Sequence, residues 1–326
     1  MINASAAPAV AALLAGGLLE LMLRGRLAMP LDRPNERSLH AQPIPRSGGL
    51  AIMTGALAAF VLLPAPIALA APALALAGVS LADDWRGLPI AVRFLAHALA
   101  AAVFVALALD TPPWWMQIVL TLTVMWMTNL YNFMDGSDGL AGGMTVSGFG
   151  FLGLAAYLAG DATIALTGFC VACAALAFLV YNFHPARIFM GDTGSIPLGF
   201  MAAALGLLGW QHDLWPLWYP AAVFSPFIVD ASITLAKRIL SGERFWRAHR
   251  SHYYQRLVQM GWGHRRTALA EYALMLVCGC AALWALGQPV YSQMVILLAL
   301  AALYACLAVA VDAAWRRVRK VPLETR

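Results

Sequence analysis

Charge is what this chain lacks. Only 11% of its 326 residues are charged, while 62% are hydrophobic and the mean hydropathy is +0.74. A soluble domain of this size does not carry that much apolar surface, so the bilayer is read as its solvent. No hydrophilic stretch is long enough for a separate soluble domain; the longest, roughly 241–266, reads as a loop within one transmembrane unit covering 1–326. No positive charge precedes the first apolar run, and Arg24 and Arg26 follow it. That order argues against a cleavable signal peptide and for a first span with its N-terminus outside. Cysteines are few: Cys170, Cys173, Cys278, Cys280 and Cys306 all fall inside apolar runs. They read as small buried hydrophobes rather than metal or redox groups. There is no internal repeat and no G-K-[ST] loop, so P-loop nucleotide hydrolysis is unsupported. The net charge of +5 reflects orientation in a membrane better than binding to nucleic acid.

What the chain has in abundance is apolar runs of about 20 residues, each long enough to cross about 30 Å of hydrocarbon. Eleven helical spans are expected: about 7–23, 48–63, 66–82, 93–109, 114–131, 139–159, 163–182, 195–210, 217–240, 267–286 and 292–313. Pro64 to Pro66 reads as a tight turn between the second and third. With the N-terminus outside, all 21 Lys and Arg fall on inside segments or within a residue or two of them. The outside segments hold Asp110, Asp161 and Asp213 instead. This segregation follows the positive-inside rule, and Trp114, Trp115, Trp215 and Trp218 lie where an outer aromatic belt would. The expected architecture is an all-α polytopic membrane protein, N-terminus periplasmic and C-terminus cytoplasmic.

The scarce acids are not scattered. Asp83 and Asp84 end the third span in "LADDWRGL", Asp135 and Asp138 lie in "YNFMDGSDGLAGG", and Asp192 lies in "IFMGDTGS". Five carboxylates thus converge on one membrane face from three inside segments. If the turn is helical, Asp135 and Asp138 share a face. Clustered carboxylates repel one another and attract a cation. All-oxygen ligation suits Mg²⁺ or Mn²⁺, which favour one or two carboxylates plus substrate phosphates. The glycines beside the acids let backbone N–H groups approach an anion at a helix N-terminus.

The same face carries cations and imidazoles. Arg33, Arg37, His40 and Arg46 lie in one segment; Arg244, Arg247, His249, Arg250, His252 and Arg256 lie in another. Five of the seven histidines are on inside segments: His40, His184, His249, His252 and His264. Histidine does nothing for topology at neutral charge, and His249 and His252, flanking Arg250, read as an anion-gripping face. Acids for a divalent ion, cations for phosphates and apolar walls are what phosphoryl transfer from a soluble nucleotide to a lipid phosphate requires. Asp230 stands apart, about 15 Å inside the ninth span at 1.5 Å per residue. Either a function, such as shaping a lipid groove, or an interhelical hydrogen bond would account for it.

Four motifs occur in order at inside loops: "DDWRGL", "NFMDGSDGLAGG", "NFHPARIFMGDTGSIPLG" and "AHRSHYYQRL". Together they resemble the polyprenyl-phosphate N-acetylhexosamine-1-phosphate transferase family, over about residues 37–257. The resemblance implies a Mg²⁺-dependent reaction, with Mn²⁺ as the alternative ion. A UDP-N-acetylhexosamine and undecaprenyl phosphate would give UMP and undecaprenyl-diphosphate-sugar at the cytoplasmic face of a bacterial inner membrane. By motif position Asp192 looks like the principal metal ligand, with Asp84 as a second. Asp83 resembles the group that deprotonates or orients the lipid phosphate, beside Asp84. Asp135 and Asp138 would line the nucleotide and metal site. His249, Arg250 and His252 match the loop, within 241–266, that contacts the diphosphate. Asn182 and Phe189 match positions that hold and stack on uracil, and Asn132, Arg46 and Arg187 are the further substrate-binding candidates. A homodimer is the implied assembly.

Two departures bear on the substrate. The peptidoglycan branch carries a three-histidine run in its last catalytic loop and a lysine after the aspartate pair. Here the loop reads "HRSH" and the pair is followed by "WRG". The form is closer to the branch that initiates O-antigen, and the pentapeptide transferases of the same family are the alternative. A secondary transporter for an anionic metabolite is the rival from another class, although its ionisable groups would lie near the midplane. A CDP-alcohol phosphotransferase is disfavoured because its spaced DG…AR…G…D…D signature is absent.

Overall fold

The computed structural model describes residues 4–27, 29–32, 43–64, 67–110, 112–244 and 249–320, with the side chains of 319 and 320 excepted. Arg33, Arg37, His40 and Arg247 lie outside the described residues, as do positions 65 and 66 of the expected turn.

The long helices are α1 (Ala7–Leu23), α2 (Gly48–Phe60), α3 (Ile67–Arg86), α4 (Ile90–Ala108), α5 (Trp114–Met134), α6 (Leu140–Leu158), α7 (Ala162–Asn182) and α8 (Asp192–Gln211). Then come α9 (Trp218–Val223), α10 (Ser225–Leu240), α11 (Tyr253–Leu257), α12 (Gly263–Leu286) and α13 (Val290–Lys320). Each of the eleven expected apolar segments falls on helix. Eight helical segments among the described residues are long and apolar enough to cross a membrane. The chain is therefore a helical, multi-pass membrane protein, as a bilayer demands of backbone that must satisfy its own hydrogen bonds. α5 falls outside that eight; Gln117, Asn129 and Asn132 make it more polar than its neighbours.

Two expectations need correction. The ninth segment, 217–240, is not one helix but α9 and α10, broken at Phe224. Pro226 has no N–H for the Ala222 carbonyl, and the Ser225 hydroxyl donates to that carbonyl instead, at 2.6 Å. The stretch 241–266 is not loop throughout. α11 starts at Tyr253, a π-helical turn spans Val258–Trp262, and α12 already begins at Gly263. His252 and Gln255 form a reciprocal capping box that starts α11, a signal outside the usual Ser/Thr pattern.

α8 is the central helix, buried along nearly its whole length from Thr193 to Gly209. α2, α3 and α5 pack on it, while α1 and α6 pack on α7. The contact of α2 with α8 is close. A Cβ on Gly49 would lie 2.2 Å from the Gly194 Cα, so only glycine lets the two backbones meet. The Gly48 and Gly49 amides donate to the carbonyls of Phe189 and Met190 at 2.9 and 2.8 Å. A short antiparallel pair, Leu31–Asp32 with Ile44–Pro45, and a parallel bridge from Arg46 to Phe189 complete the junction. Thus "RSGGL" and "FMGDTGS" are locked together, and Arg46 is delivered beside Asp192.

Candidate active site

The acids meet where α3 and α5 end and α8 begins. Asp83 and Asp84 lie in the last turn of α3. Asp135 caps the C-terminus of α5. Asp192 opens α8, behind Gly191 at φ +72°, a left-handed conformation that favours glycine.

Two arginines stitch these acids together. The Arg46 guanidinium is hydrogen-bonded to Asp84 Oδ1 and lies 3.9 Å from Asp192 Oδ1. Arg93, near the start of α4, reaches Asp83 Oδ2 at 3.1 Å and Asp192 Oδ2 at 3.5 Å. Neutral donors fill in around them. Thr193 Oγ1 donates to Asp84 Oδ2 at 2.8 Å, and the Leu88 amide donates to Asp83 Oδ1 at 2.5 Å. Asn132 Nδ2 donates to Asp192 Oδ1 and to Ser195 Oγ, both at 3.0 Å. Burial, with the negative charge of Asp192 added to it, pushes the Asp135 carboxyl up to about 7; Arg46 and the Gly191 amide pull the other way. Asp32 adds a further negative charge close enough to act on both Asp135 and Arg46. Among the described residues no three His, Cys, Asp or Glu side chains stand together as a ready-made metal cage.

Asp138 is not on the same face as Asp135. The chain between them is not helical, and Asp138 turns to two imidazoles. His184 Nδ1 lies 2.6 Å from Asp138 Oδ2, and His264 Nδ1 lies 3.7 Å from Asp138 Oδ1 and 2.9 Å from Ser137 Oγ. The two rings stack, with centroids 5.6 Å apart. The Ala186 amide also donates to Asp138 Oδ2, at 3.2 Å. This arrangement ties "DGSDG" to "NFHPAR" and to the start of α12.

The histidine loop arrives from another direction and is held by Asp230. One carboxylate oxygen accepts the Tyr253 amide at 2.9 Å and lies 3.2 Å from His252 Nδ1; the other accepts the Tyr254 amide at 3.0 Å. Thr234 Oγ1 donates to the first oxygen at 3.1 Å. Asp230 is thus an anchor and makes the interhelical hydrogen bonds that one of the two readings of this buried acid expected. Its location caps the positive end of α11. His252 is buried, and its ring stacks on Phe133 at 6.4 Å, one residue from Asn132. His249 lies 4.9 Å from His252 ring to ring, with Nδ1 at 2.9 Å from Ser251 Oγ.

The remaining expected contacts are less direct. Asn182 is buried with both ends of its carboxamide engaged: Oδ1 accepts the Gly139 amide at 3.0 Å and Nδ2 donates to the Ile188 carbonyl at 2.9 Å. It braces two motif loops. Phe189 contributes backbone to the junction with Pro45 and Gly48 and keeps a half-buried side chain. Arg187 is exposed, its guanidinium 5.4 Å from the Tyr181 ring centre. Arg250 is exposed on the histidine loop, away from any carboxylate of the cluster.

Sequence reasoning missed Arg93, Thr193 and Asp32. In the sequence Arg93 reads only as a topology-setting cation. The signal available for it is its place near the start of an apolar helix, just after the aspartate pair. The bringing together of Asp83, Asp84, Asp135 and Asp192 at one end of a helical bundle defines a membrane protein with an acidic, arginine-bridged site.

Comparison with known proteins names the class more closely. Residues 66–209 match the family described as glycosyl transferase family 4. The chain is 32% identical over 277 residues to a probable undecaprenyl-phosphate N-acetylglucosaminyl 1-phosphate transferase of Bacillus subtilis, covering 78% of this chain and 76% of that protein. It is 32% identical over 296 residues to a decaprenyl-phosphate N-acetylglucosaminephosphotransferase of Mycobacterium leprae, covering 73% and 72%. A phospho-N-acetylmuramoyl-pentapeptide-transferase of Moorella thermoacetica matches at 32% over 173 residues, 53% of each chain. The chain belongs to glycosyl transferase family 4, the polyprenyl-phosphate N-acetylhexosamine-1-phosphate transferases. The matched region runs from just before α3 nearly to the end of α8 and contains all four acids of the cluster.

Proposed function

We propose that this chain transfers N-acetylhexosamine-1-phosphate from a UDP-sugar to undecaprenyl phosphate, releasing UMP and initiating O-antigen or another envelope polysaccharide. The observation that carries this reading is the Arg46–Asp84 and Asp83–Arg93–Asp192 network, which joins acids from separate motifs with cations at the end of an apolar bundle. Relatives named for polyprenyl-phosphate N-acetylglucosamine-phosphate transfer match nearly three quarters or more of the chain, whereas the pentapeptide transferase matches about half. That difference favours an N-acetylglucosamine-type donor. The reading puts the site at the cytoplasmic face of a bacterial inner membrane, with eleven spans and a periplasmic N-terminus.

The residues suit a divalent ion. The charge of Asp192 bears on Asp135, a repulsion a cation would relieve, and two carboxylates plus phosphate oxygens are a donor set Mg²⁺ accepts. Asp192, with Asp135 and Asp84 close by, would hold it. When bound, the ion neutralises charge on the donor diphosphate. Arg93, held between Asp83 and Asp192, presents a guanidinium to the incoming lipid phosphate. Asp83 orients that phosphate and accepts a proton from it if it arrives protonated. Attack of a phosphate oxygen on the sugar-linked phosphorus breaks the bond to the bridging oxygen, and UMP leaves. Positioning and charge neutralisation supply most of the rate gain in such a transfer.

The test is purified protein in detergent with undecaprenyl phosphate and a panel of UDP-N-acetylhexosamines, read by UMP release and lipid mass. A sugar-diphosphate lipid from one donor supports the reading. No product from any donor, with or without Mg²⁺, overturns it.

A further inference from the structure

Three buried side-chain polar atoms among the described residues have no hydrogen-bond partner: Arg46 Nε, His97 Nδ1 and Ser147 Oγ. Arg46 belongs to the acid network, and Ser147 lies within α6. His97 lies in α4 and is 5% exposed, and no step of the transfer uses it. A buried nitrogen left unpaired is costly.

His97 follows Arg93 by one turn on the same face of α4, about 6 Å further along the axis. Side chains of a helix lean back over the preceding turn, which brings the ring toward Arg93. The charges of Arg93 and Asp192 both act on it, and the Asn129 side chain of α5 hydrogen-bonds to it. Asn129 Nδ2 is committed to the Met125 carbonyl at 2.7 Å, which leaves Oδ1 for the ring. Because Nδ1 has no partner, Nε2 is the nitrogen that donates to Oδ1. A neutral imidazole then carries its lone pair on Nδ1, an acceptor without a donor. One turn on from Asn129, Asn132 donates to Asp192 at 3.0 Å, so both flanks of the ring lead into the acid cluster.

Arg93 has the donor this acceptor lacks. Its Nη1 and Nη2 reach Asp83 and Asp192, and among the described residues its Nε has no partner. We propose that His97 is a positioning residue for the lipid phosphate: once a phosphate draws the Nη groups away from the two acids, Nδ1 accepts the Arg93 Nε–H and holds the guanidinium in place. The inference rests on the transferase reading and adds to it a residue from the body of α4. An arginine held at Nε keeps both Nη groups for a bidentate grip on phosphate oxygens.

The experiment is native mass spectrometry of the intact chain in detergent, titrated with undecaprenyl phosphate without a donor, with steady-state UMP release measured beside it. His97→Leu is expected to weaken lipid-phosphate binding about tenfold and to raise KM for undecaprenyl phosphate by a similar factor, with kcat within about twofold. His97→Asn, whose Oδ1 stands near the place of Nδ1, is expected to restore binding to within about threefold of the parent. His97→Phe keeps the shape of the ring and carries the test should His97→Leu not fold. In an Arg93→Gln background, His97→Leu is expected to change binding by less than about twofold, because residues that act through one another are not additive. Unchanged binding by His97→Leu, equal losses for Leu and Asn, or an undiminished loss in the Arg93→Gln background overturns the proposal. So does a parent chain that binds no undecaprenyl phosphate. A parent that binds the lipid but releases no UMP from any donor overturns the transferase reading alone, and the variants still decide the role of His97.

Discussion

Asp83 and Asp192 share one guanidinium: Arg93 reaches the first at 3.1 Å and the second at 3.5 Å. The two acids come from motifs at opposite ends of the matched family region, and a single side chain of α4 spans them. The bridge makes Arg93 a structural clamp and, in the proposed reaction, a phosphate-facing cation. Its loss takes the ion-pair partner from Asp83 and leaves Asp192 with Arg46 and Asn132. Arg93→Gln is expected to lower kcat/KM for undecaprenyl phosphate by about 100-fold. Arg93→Lys recovers only part, because an ammonium does not bridge two carboxylates as a planar fork does. Steady-state UMP release at varied lipid concentration checks this.

Asp192 is the acid that both arginines and Asn132 address. Asp192→Asn keeps the shape and removes the charge. UMP release at saturating Mg²⁺ is expected to fall by about 100-fold or more. Turnover within a few-fold of the parent would remove Asp192 from the site.

The pressure on Asp135 gives a pH signature. Its ordinary value is 3.8 and its folded value is pushed up to about 7, so the folded chain holds a proton that the unfolded chain has released. The stabilisation from that proton is full below about pH 4 and is lost as pH rises through about 7. In Mg²⁺-free buffer, thermal unfolding is expected to show this decline, and Asp135→Asn to flatten it. Added Mg²⁺ favours the carboxylate and raises stability most above about pH 7.

Asp230 holds the histidine loop through two backbone amides and His252. Asp230→Ala leaves those donors buried and unpaired, at a cost of about 1–3 kcal/mol for each. A lowered unfolding temperature and faster protease cleavage within 249–257 are expected. Asp230→Asn retains acceptor oxygen and is expected to be milder on both measures.

Gly49→Ala tests the α2–α8 junction. The added Cβ would lie 2.2 Å from the Gly194 Cα, in backbone that has no flexible end to move. A stability loss of about 1–3 kcal/mol is expected from the overpacking. Arg46 is displaced from Asp84 with it, so activity falls further than stability alone explains. Melting curves and UMP release on the same preparation separate the two effects.

The helices and the gathering of acids at one end could be read from the residues alone. An apolar run in lipid has to close its own hydrogen bonds, so composition dictates helix directly. The glycines of "DGSDGLAGG" and "MGDTGS" and the aspartates of three motifs likewise pointed to a site. Other features depended on distances of a few ångströms between helices remote in sequence. Nothing local in α4 says that Arg93 ends between Asp83 and Asp192, or in α10 that Asp230 caps α11. Asp138 looks equivalent to Asp135 in the sequence, yet a non-helical turn sends it to His184 and His264. Hydrophobicity acts residue by residue and is written in the chain; the pairing of polar groups is settled only when close contacts such as Gly49 on Gly194 set the spacing of the helices that carry them.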